Sequence, residues 1–149
     1  MIAVGAHNID GNIASYSNFG RGITLTAPGG DPPVDALIIS LGNDGPTAPA
    51  EPAYILGRGT SFSAPLVAGT AAMMLARNPL LTSGRVQDLL TGTTRNFPAG
   101  SACSAQNLCG AGMLDAGAVI ASTIPGGPPP PNAFKVVEYY RADLDHYFI

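Results

Sequence analysis

A serine lies where a short strand is predicted to end and a long apolar helix to begin. Ser61 follows Gly59 and Thr60, and residues 62–76 are rich in Ala, Leu and Met, which predicts a buried helix. Backbone N–H groups at a helix N-terminus have no helical acceptors and can bind a developing oxyanion. The helix dipole adds positive potential there. This arrangement suits nucleophilic attack by Ser61 on a carbonyl group, and Gly59 leaves space for that carbonyl.

Two other interpretations of Ser61 follow from the same residues. A serine at a strand-to-helix junction is often an N-cap, whose hydroxyl accepts a bond from a backbone N–H. An esterase-type hydrolase is a weaker alternative, because its serine lies in a G-x-S-x-G motif and residues 59–63 do not form one. Residue type and position alone therefore leave the catalytic and capping roles both open.

A longer motif around this serine resembles that of a known family. Residues 59–69, GTSFSAPLVAG, closely resemble the subtilase signature around the catalytic serine, G-T-S-x-[SA]-x-P-x-V-A-G. Further similarity, in the order found in subtilases, covers IAVGA at 2–6, ASYSNFG at 14–20, APG at 27–29 and GAGMLDA at 110–116. The chain is identified on these motifs as a member of the subtilase family.

The resemblance implies a role for each residue of the motif. Ser61 is the expected nucleophile, and its backbone N–H is expected to form part of the oxyanion hole. Gly59, Thr60 and Pro65 are expected to support the motif. Leu66 replaces a histidine that many subtilases have, but that histidine is not the triad base. The implied reaction is peptide-bond hydrolysis by a serine endopeptidase, through an acyl-enzyme on Ser61.

The rest of the family's catalytic triad has no match in this sequence. Subtilases place the triad in the order Asp, His, Ser. The histidines here are His7, in a predicted turn, and His146, and neither fits the family's histidine motif. The resemblance therefore implies a C-terminal portion of a subtilase, with the Asp, the His and the oxyanion asparagine upstream. Removal of the base costs subtilisin roughly a millionfold in turnover, so the chain alone is expected to be inactive and poorly folded.

Mixed strand and helix patterns predict an α/β domain. The resemblance implies the C-terminal part of a three-layer subtilisin-like fold, with a mostly parallel sheet and a buried central helix, incomplete. Strands are predicted near residues 1–6, 13–20, 23–26, 36–41 and 54–56. Helices are predicted at 62–76, from an N-cap at Thr82 or Ser83 through Leu90, and at about 115–122, with Pro65 in the first turn of the first helix.

The chain has a predicted boundary at its proline run. Residues 1–124 are predicted to be the catalytic part, 125–133 a stiff Gly/Pro-rich linker and 134–149 the start of a second module. Residues 137–148 resemble a repeat module that follows secreted bacterial enzyme domains, although a generic aromatic strand explains them nearly as well. Asp143, Asp145 and His146 are interpreted as solvated turn residues, and no metal site is assigned to them.

Composition restricts the partners. With 46% hydrophobic and 11% charged residues and a net charge of -3, the chain is expected to be globular, with no nucleic-acid partner. The uncharged stretch between Arg58 and Arg77 is long enough to span a membrane, but its Ser, Pro, Gly and Thr residues favour a buried soluble helix. The expected partner is a polypeptide substrate.

The two cysteines, Cys103 and Cys109, lie in a predicted polar loop. A metal or redox pair would need further ligands, and no other Cys or nearby His supplies them, so a loop-closing disulfide is predicted. This pair and the family together indicate an extracellular protein, although residues 1–6 show no signal peptide. No cofactor is identifiable. Calcium, a common stabiliser in the family, is not assignable to any residue here.

One rival to the protease hypothesis belongs to another functional class. The chain would then be a non-catalytic remnant of a protease, with a structural or binding role. An upstream coding region that carries the Asp and His motifs would favour the enzyme, whereas a true translation start at Met1 would favour the remnant.

Overall fold

The computed structural model describes residues 1–32, 37–106 and 108–123, together with the backbone of two short strands between residues 139 and 148. Four strands come first along the chain, followed by four helices and then by two further short strands. In chain order they are β1 (Val4–His7), β2 (Leu25–Pro28), β3 (Ile38–Asn43), β4 (Pro52–Gly57), α1 (Thr60–Arg77), α2 (Ser83–Gly92), α3 (Ala102–Gln106), α4 (Ala116–Ser122), β5 (Tyr139–Arg141) and β6 (His146–Phe148).

Strands β1 and β2 form a parallel pair that carries the core. Val4 pairs with Leu25 and His7 with Pro28 at the two ends of the ladder. Helix α1 packs against both strands, and it also contacts α2 and α4. The largest fully buried side chains include Leu25 from β2 and Met74 from α1. The core therefore lies between one side of this strand pair and the helices.

Residues 110–114 lie along the free edge of β2. The Thr26 N–H donates to the Gly112 carbonyl at 2.9 Å, and the Leu114 N–H donates to the Thr26 carbonyl at 2.7 Å. Gly110 has a φ of 77°, and a Cβ there would lie 2.5 Å from the carbonyl carbon and oxygen of Thr24. A glycine is required at position 110 because the backbone of Thr24, just before β2, passes so close to it.

Strands β3 and β4 form an antiparallel hairpin that leads directly into α1. Leu41 pairs with Tyr54, and Ile39 pairs with Leu56, on one face of this hairpin. Leu41 and Tyr54 are 79% and 81% exposed, so this apolar face has little cover from the described residues. The other face points toward the start of α1, where Phe62 packs against Gly57.

Helix α1 buries one stripe of its surface. Its buried residues are Ser63, Val67, Thr70 and Met74, which recur at the three- and four-residue spacing of one helix face. Met73 and Leu75 are 37% and 40% exposed. The described residues therefore cover only one side of a helix that the sequence predicts to be buried on nearly every side.

The structure confirms several predicted elements. Helix α2 begins at Ser83, and the hydroxyl of its N-cap Thr82 accepts a bond from the Arg85 N–H. Helix α4 covers the predicted range, with Asp115 as N-cap. Strands β1, β2, β3 and β4 overlap the predicted strands, with ends shifted by one to three residues.

Three predictions about local structure are wrong. Residues 13–20 form turns with a single bridge from Ile13 to His7, where a strand was predicted. His7 is the last residue of β1 and is buried, whereas the sequence predicts it in a turn. The segment before Cys109 contains the short helix α3 in place of a simple loop. Contacts with residues distant in sequence explain the first two cases, because Ser15 and Tyr16 bond to Asp31 and Gly29 and His7 pairs with Pro28. Helix α3 is stabilised locally, because the Ser101 hydroxyl accepts a bond from the Ser104 N–H.

The domain boundaries at 124 and 133 stay a prediction, because residues 124–138 lie outside the described part of the chain. Asp143 and Asp145 also lie outside it. Strands β5 and β6 pair as an antiparallel hairpin, which is compatible with the start of a further module. None of the helices that the structure describes is both long enough and apolar enough to cross a membrane.

Candidate active site

Ser61 is the second residue of α1 and is exposed to solvent. The N-cap is Gly59, and the cap makes no side-chain hydrogen bond. The alternative in which Ser61 is itself a helix cap is therefore wrong. In the first turn the Ser61 N–H has no helical acceptor, so it remains able to bind an anion. Among the residues that the structure describes, the Ser61 hydroxyl also has no hydrogen-bond partner.

Gly59 sets the direction in which the chain enters the helix. Its φ of 144° and ψ of 157° belong to a region that favours glycine, and a Cβ there would lie 3.1 Å from the Ser61 hydroxyl oxygen. The Gly59 carbonyl accepts a bond from the Phe62 N–H at 2.9 Å. A side chain at position 59 would both strain the backbone and crowd the Ser61 hydroxyl.

The turn that holds Ser61 is fastened to the end of β2. The Gly59 N–H donates to the Gly29 carbonyl at 2.8 Å. The hydroxyl of Ser63, which is fully buried, lies 3.1 Å from the carbonyl oxygens of both Ala27 and Pro28, and its one proton is shared between these two acceptors. These contacts fix the first turn of α1 on the strand end and thereby position the Ser61 side chain.

Gly29 makes this close approach of strand and helix possible. A Cβ at Gly29 would lie 2.5 Å from the Ala6 Cβ, 2.6 Å from the Tyr16 hydroxyl and 2.7 Å from the Ser63 hydroxyl. These distances are far too short for van der Waals contact, so only glycine fits without movement of its neighbours. The sequence motif APG contains this residue, but the motif alone does not show what surrounds it.

Tyr16 and Asp31 fix the loop that precedes β2. The Tyr16 hydroxyl lies 2.6 Å from both the Gly29 and the Gly30 carbonyl oxygens. The Asp31 carboxylate accepts bonds from the N–H and the hydroxyl of Ser15, at 2.8 and 2.7 Å. A tyrosine hydroxyl is protonated at neutral pH and can donate, and burial raises the pKa of Tyr16 further above its ordinary value. The loop is therefore held in place by bonds from Ser15 and Tyr16, two residues of the segment 13–20 that the sequence predicts to be a strand.

Pro65 lies deeper in the helix than predicted. Helix α1 begins at Thr60, so Pro65 is its sixth residue and not part of the first turn. A proline there has no N–H to donate to the carbonyl four residues earlier, which is that of Ser61. The Ser61 carbonyl therefore lacks the helical hydrogen bond that it would otherwise accept from the N–H of residue 65.

The histidines do not provide a base for Ser61 in the described part of the chain. His7 is buried at the end of β1, where its Nδ1 lies 3.0 Å from the Thr26 hydroxyl oxygen. Burial, and secondly the positive charge of Arg95, lower the pKa of His7 from 6.5 to about 4. His146 belongs to β6, whose side chains are not described.

The remaining chemical groups support structure. Cys103 and Cys109 form a disulfide bond and are both buried, as the sequence predicts. The Leu108 carbonyl accepts a bond from the Gly20 N–H at 2.6 Å, so the disulfide-closed segment is attached to the loop before β2. Within residues 1–32, 37–106 and 108–123, no group of three His, Cys, Asp or Glu side chains could hold a metal ion.

The family model described as Subtilase family matches residues 1–112. The chain belongs to the subtilase family. This match includes Ser61, Gly29 and the contacts that hold the first turn of α1 on β2, and it ends at Gly112, within the segment that lies along β2. Subtilases are serine proteases, and the predicted family is confirmed.

Named relatives are similar over most of this chain. An extracellular protease of Xanthomonas campestris is 41% identical over 127 residues, which are 85% of this chain and 20% of that protein. Mycosin-1 of Mycolicibacterium smegmatis is 34% identical over 131 residues, or 86% of this chain and 27% of that protein. The chain therefore spans only a fifth to about a quarter of the length of these relatives.

Solved structures confirm the fold class. A protease structure from Pseudoalteromonas arctica covers 83% of this subtilase chain, with a TM-score of 0.75 and 34% sequence identity, and the match covers 36% of that solved chain. The structure of MycP1 with its N-terminal propeptide removed covers 87% of this chain at a TM-score of 0.63 and 30% identity. The fold is therefore an incomplete α/β subtilisin-like fold that contains a parallel strand pair.

Proposed function

We propose that this chain is the nucleophile-bearing part of a serine endopeptidase that hydrolyses peptide bonds through an acyl-enzyme on Ser61. The observation that carries the proposal is the position of Ser61 in the first turn of α1, exposed and without a capping bond. In the reaction, the Ser61 hydroxyl oxygen attacks the substrate carbonyl carbon as a base takes its proton. The Ser61 N–H then donates to the oxygen that becomes negatively charged.

The substrate carbonyl would have room at this position. Gly59 presents no side chain next to the Ser61 hydroxyl, and the positive end of the α1 dipole favours negative charge on the carbonyl oxygen. Ser63 and Gly29 hold this turn on β2, so the N–H is oriented before substrate binds. Electrostatic stabilisation is strongest where the donors are fixed in advance.

A base must come from residues outside those described here. His7 is committed to a buried contact with Thr26, and its low pKa makes it a poor proton acceptor at neutral pH. Subtilases carry their Asp and His before the serine in sequence, and this chain matches only a fifth of the Xanthomonas protease. We therefore infer that the active enzyme contains an upstream portion that supplies the Asp, the His and the oxyanion asparagine, and that this chain alone is inactive and poorly folded.

Secretion belongs to the same proposal. Two relatives are named as extracellular proteases, from Xanthomonas campestris and from Dichelobacter nodosus. The Cys103–Cys109 disulfide is compatible with an oxidising compartment. The expected substrates are therefore polypeptides outside the cell.

Labelling with a fluorophosphonate probe tests the nucleophile. This probe reacts covalently with an activated serine, so we expect labelling of the upstream-extended gene product and none of the present chain alone. Ser61→Ala should abolish the labelling, whereas Ser83→Ala, at an exposed serine of α2, should leave it unchanged. Loss of the base or of the nucleophile reduces turnover in subtilisin by about a millionfold, so the difference should be complete in practice.

The same experiment separates the protease from its rival. A folded extended protein that does not label would contradict the protease proposal and would leave a structural or binding remnant as the better account. Labelling at a serine other than Ser61 would place the chemistry elsewhere in the protein and would overturn the assignment of the nucleophile.

A further inference from the structure

Arg58 is a charged side chain next to the proposed nucleophile that the reaction above does not use. It lies three residues before Ser61, between strand β4 and helix α1, and it is exposed. Three peptide units span at most about 11 Å, and a substrate in extended conformation covers about 3.3 to 3.6 Å per residue. The backbone of Arg58 therefore lies no more than about 11 Å from that of Ser61, a distance that about three extended substrate residues cover.

The position of this guanidinium is restricted by Tyr16. The Arg58 Cζ lies 6.0 Å from the centroid of the Tyr16 ring, at the outer limit of a cation–π contact. Tyr16 is itself fixed, because its hydroxyl is bonded to the Gly29 and Gly30 carbonyls. The Gly29 carbonyl also accepts a hydrogen bond from the Gly59 N–H. The loop before β2 and the turn before Ser61 are therefore both bonded to Gly29. An arginine placed over an aromatic ring keeps its N–H donors available for a carboxylate.

Among the described residues, no acidic side chain forms an ion pair with Arg58. The Asp31 carboxylate, which is the acidic group acting on Tyr16, is already bonded through both oxygens to Ser15. Within the described part of the chain, the ion pair that forms joins Arg95 to Asp115, and Arg58 takes no part in it. Arg58 therefore carries an exposed positive charge three residues before Ser61, on a side chain whose position is restricted by Tyr16.

We propose that Arg58 is a specificity-determining residue that selects substrates with an aspartate or glutamate within about three residues of the scissile bond. This inference rests on the proposed endopeptidase function and adds a substrate class to it. Arginine and carboxylate form paired N–H···O bonds, which give directional preference as well as charge attraction. Because the pair would be solvent-exposed, its effect on kcat/KM is expected to be modest, about fivefold.

Cleavage-site profiling on a mixed peptide library tests this proposal. The upstream-extended enzyme is used, and fluorophosphonate labelling of Ser61 determines the concentration of active sites. We expect enrichment of Asp and Glu at one position within three residues of the cleaved bond. Arg58→Gln should abolish this enrichment, and Arg58→Glu should replace it with a preference for Lys and Arg.

Rising salt should weaken the enrichment of Asp and Glu in the enzyme that retains Arg58, because exposed charge pairs are screened. Arg85→Gln, which removes an exposed arginine from α2, is the matched control and should leave the profile unchanged.

The possible outcomes distinguish this inference from the function on which it rests. An enzyme that labels at Ser61 and cleaves peptides, but shows no acidic enrichment or keeps it in Arg58→Gln, would overturn the inference and leave the protease function intact. An extended protein that folds but neither labels nor cleaves would overturn both.

Discussion

At the scale of single residues, the site depends on small side chains and on polar atoms that the family motif does not explain. The motif directs attention to Ser61 and Gly59, whose catalytic roles stay predictions. The neighbouring Ser63 was not predicted to matter, yet its hydroxyl binds two carbonyls of β2. Nothing in a single sequence indicates that this serine contacts residues about 35 positions earlier, because such a contact exists only after the strand and helix have met.

His7 predicts a specific pH dependence of stability. Its pKa is lowered from 6.5 to about 4 in the folded protein, so between these values the unfolded protein binds the additional proton. The stability that the neutral histidine contributes is therefore fully present above pH 6.5 and is lost as the pH falls toward 4. By pH 5 the loss is about 2 kcal/mol, since one pKa unit corresponds to about 1.4 kcal/mol.

Thermal unfolding of the upstream-extended protein at pH 7 and pH 5 measures this effect. His7→Gln retains a polar group for the Thr26 hydroxyl but does not titrate in this range. The unfolding temperature of the natural protein should fall by more than that of the variant between the two pH values. Equal decreases in both proteins would show that other groups cause the acid sensitivity.

At the scale of elements, local signals were sufficient where an element is stabilised locally. Helix α2 could be predicted because Thr82 caps it and because Val86, Leu89 and Leu90 recur at helical spacing. Residues 13–20 show an alternating pattern typical of a strand, but Tyr16 and Ser15 are instead bonded to the Gly29 and Asp31 region. The first helix also begins two residues earlier than predicted, because the Gly59 carbonyl accepts the Phe62 N–H and starts the helix there.

The attachment of α1 to β2 predicts that two buried hydroxyls of this helix differ in energetic importance. Ser63→Ala leaves the Ala27 and Pro28 carbonyls without this donor, which should lower the free energy of unfolding by about 1 to 3 kcal/mol. Thr70 is equally buried, but its hydroxyl bonds the Leu66 carbonyl of its own helix at 2.8 Å. Thr70→Val keeps the shape of the side chain, and that carbonyl belongs to the helical ladder, so the change should be close to neutral.

Unfolding of the upstream-extended protein in urea compares the two variants. Ser63→Ala should unfold at a lower urea concentration than Thr70→Val, and it should also label more slowly with the fluorophosphonate probe, because the turn that holds Ser61 is less firmly attached. If Thr70→Val is as destabilising as Ser63→Ala, burial of a hydroxyl rather than attachment to β2 would determine the loss.

At the scale of the whole molecule, the described residues leave apolar surface exposed in the elements that come before and after Ser61 in the sequence. The apolar face of the β3–β4 hairpin, with Leu41 and Tyr54, precedes Ser61 in sequence, and the open side of α1 follows it. The matched share of the solved protease from Pseudoalteromonas arctica is 36% of that chain. In the proposed complete enzyme, the remaining part of the domain would cover these surfaces and would bring the base to Ser61.

The oxidation rates of two adjacent methionines of α1 can show whether an upstream portion covers the open side of this helix. Met74 is fully buried, whereas Met73 is 37% exposed in the described chain. If an upstream portion packs on the open side of α1, Met73 should be as slow to oxidise as Met74 when the extended protein is treated with peroxide. Mass spectrometry of the two positions measures the rates, and the fully unfolded protein, in which both should react quickly and equally, is the control.

Rapid oxidation of Met73 beside a protected Met74 in the extended protein would mean that this side of α1 faces solvent in the complete molecule. The upstream portion would then have to bring its base to Ser61 without covering the helix, and the proposed arrangement of the complete enzyme would be wrong.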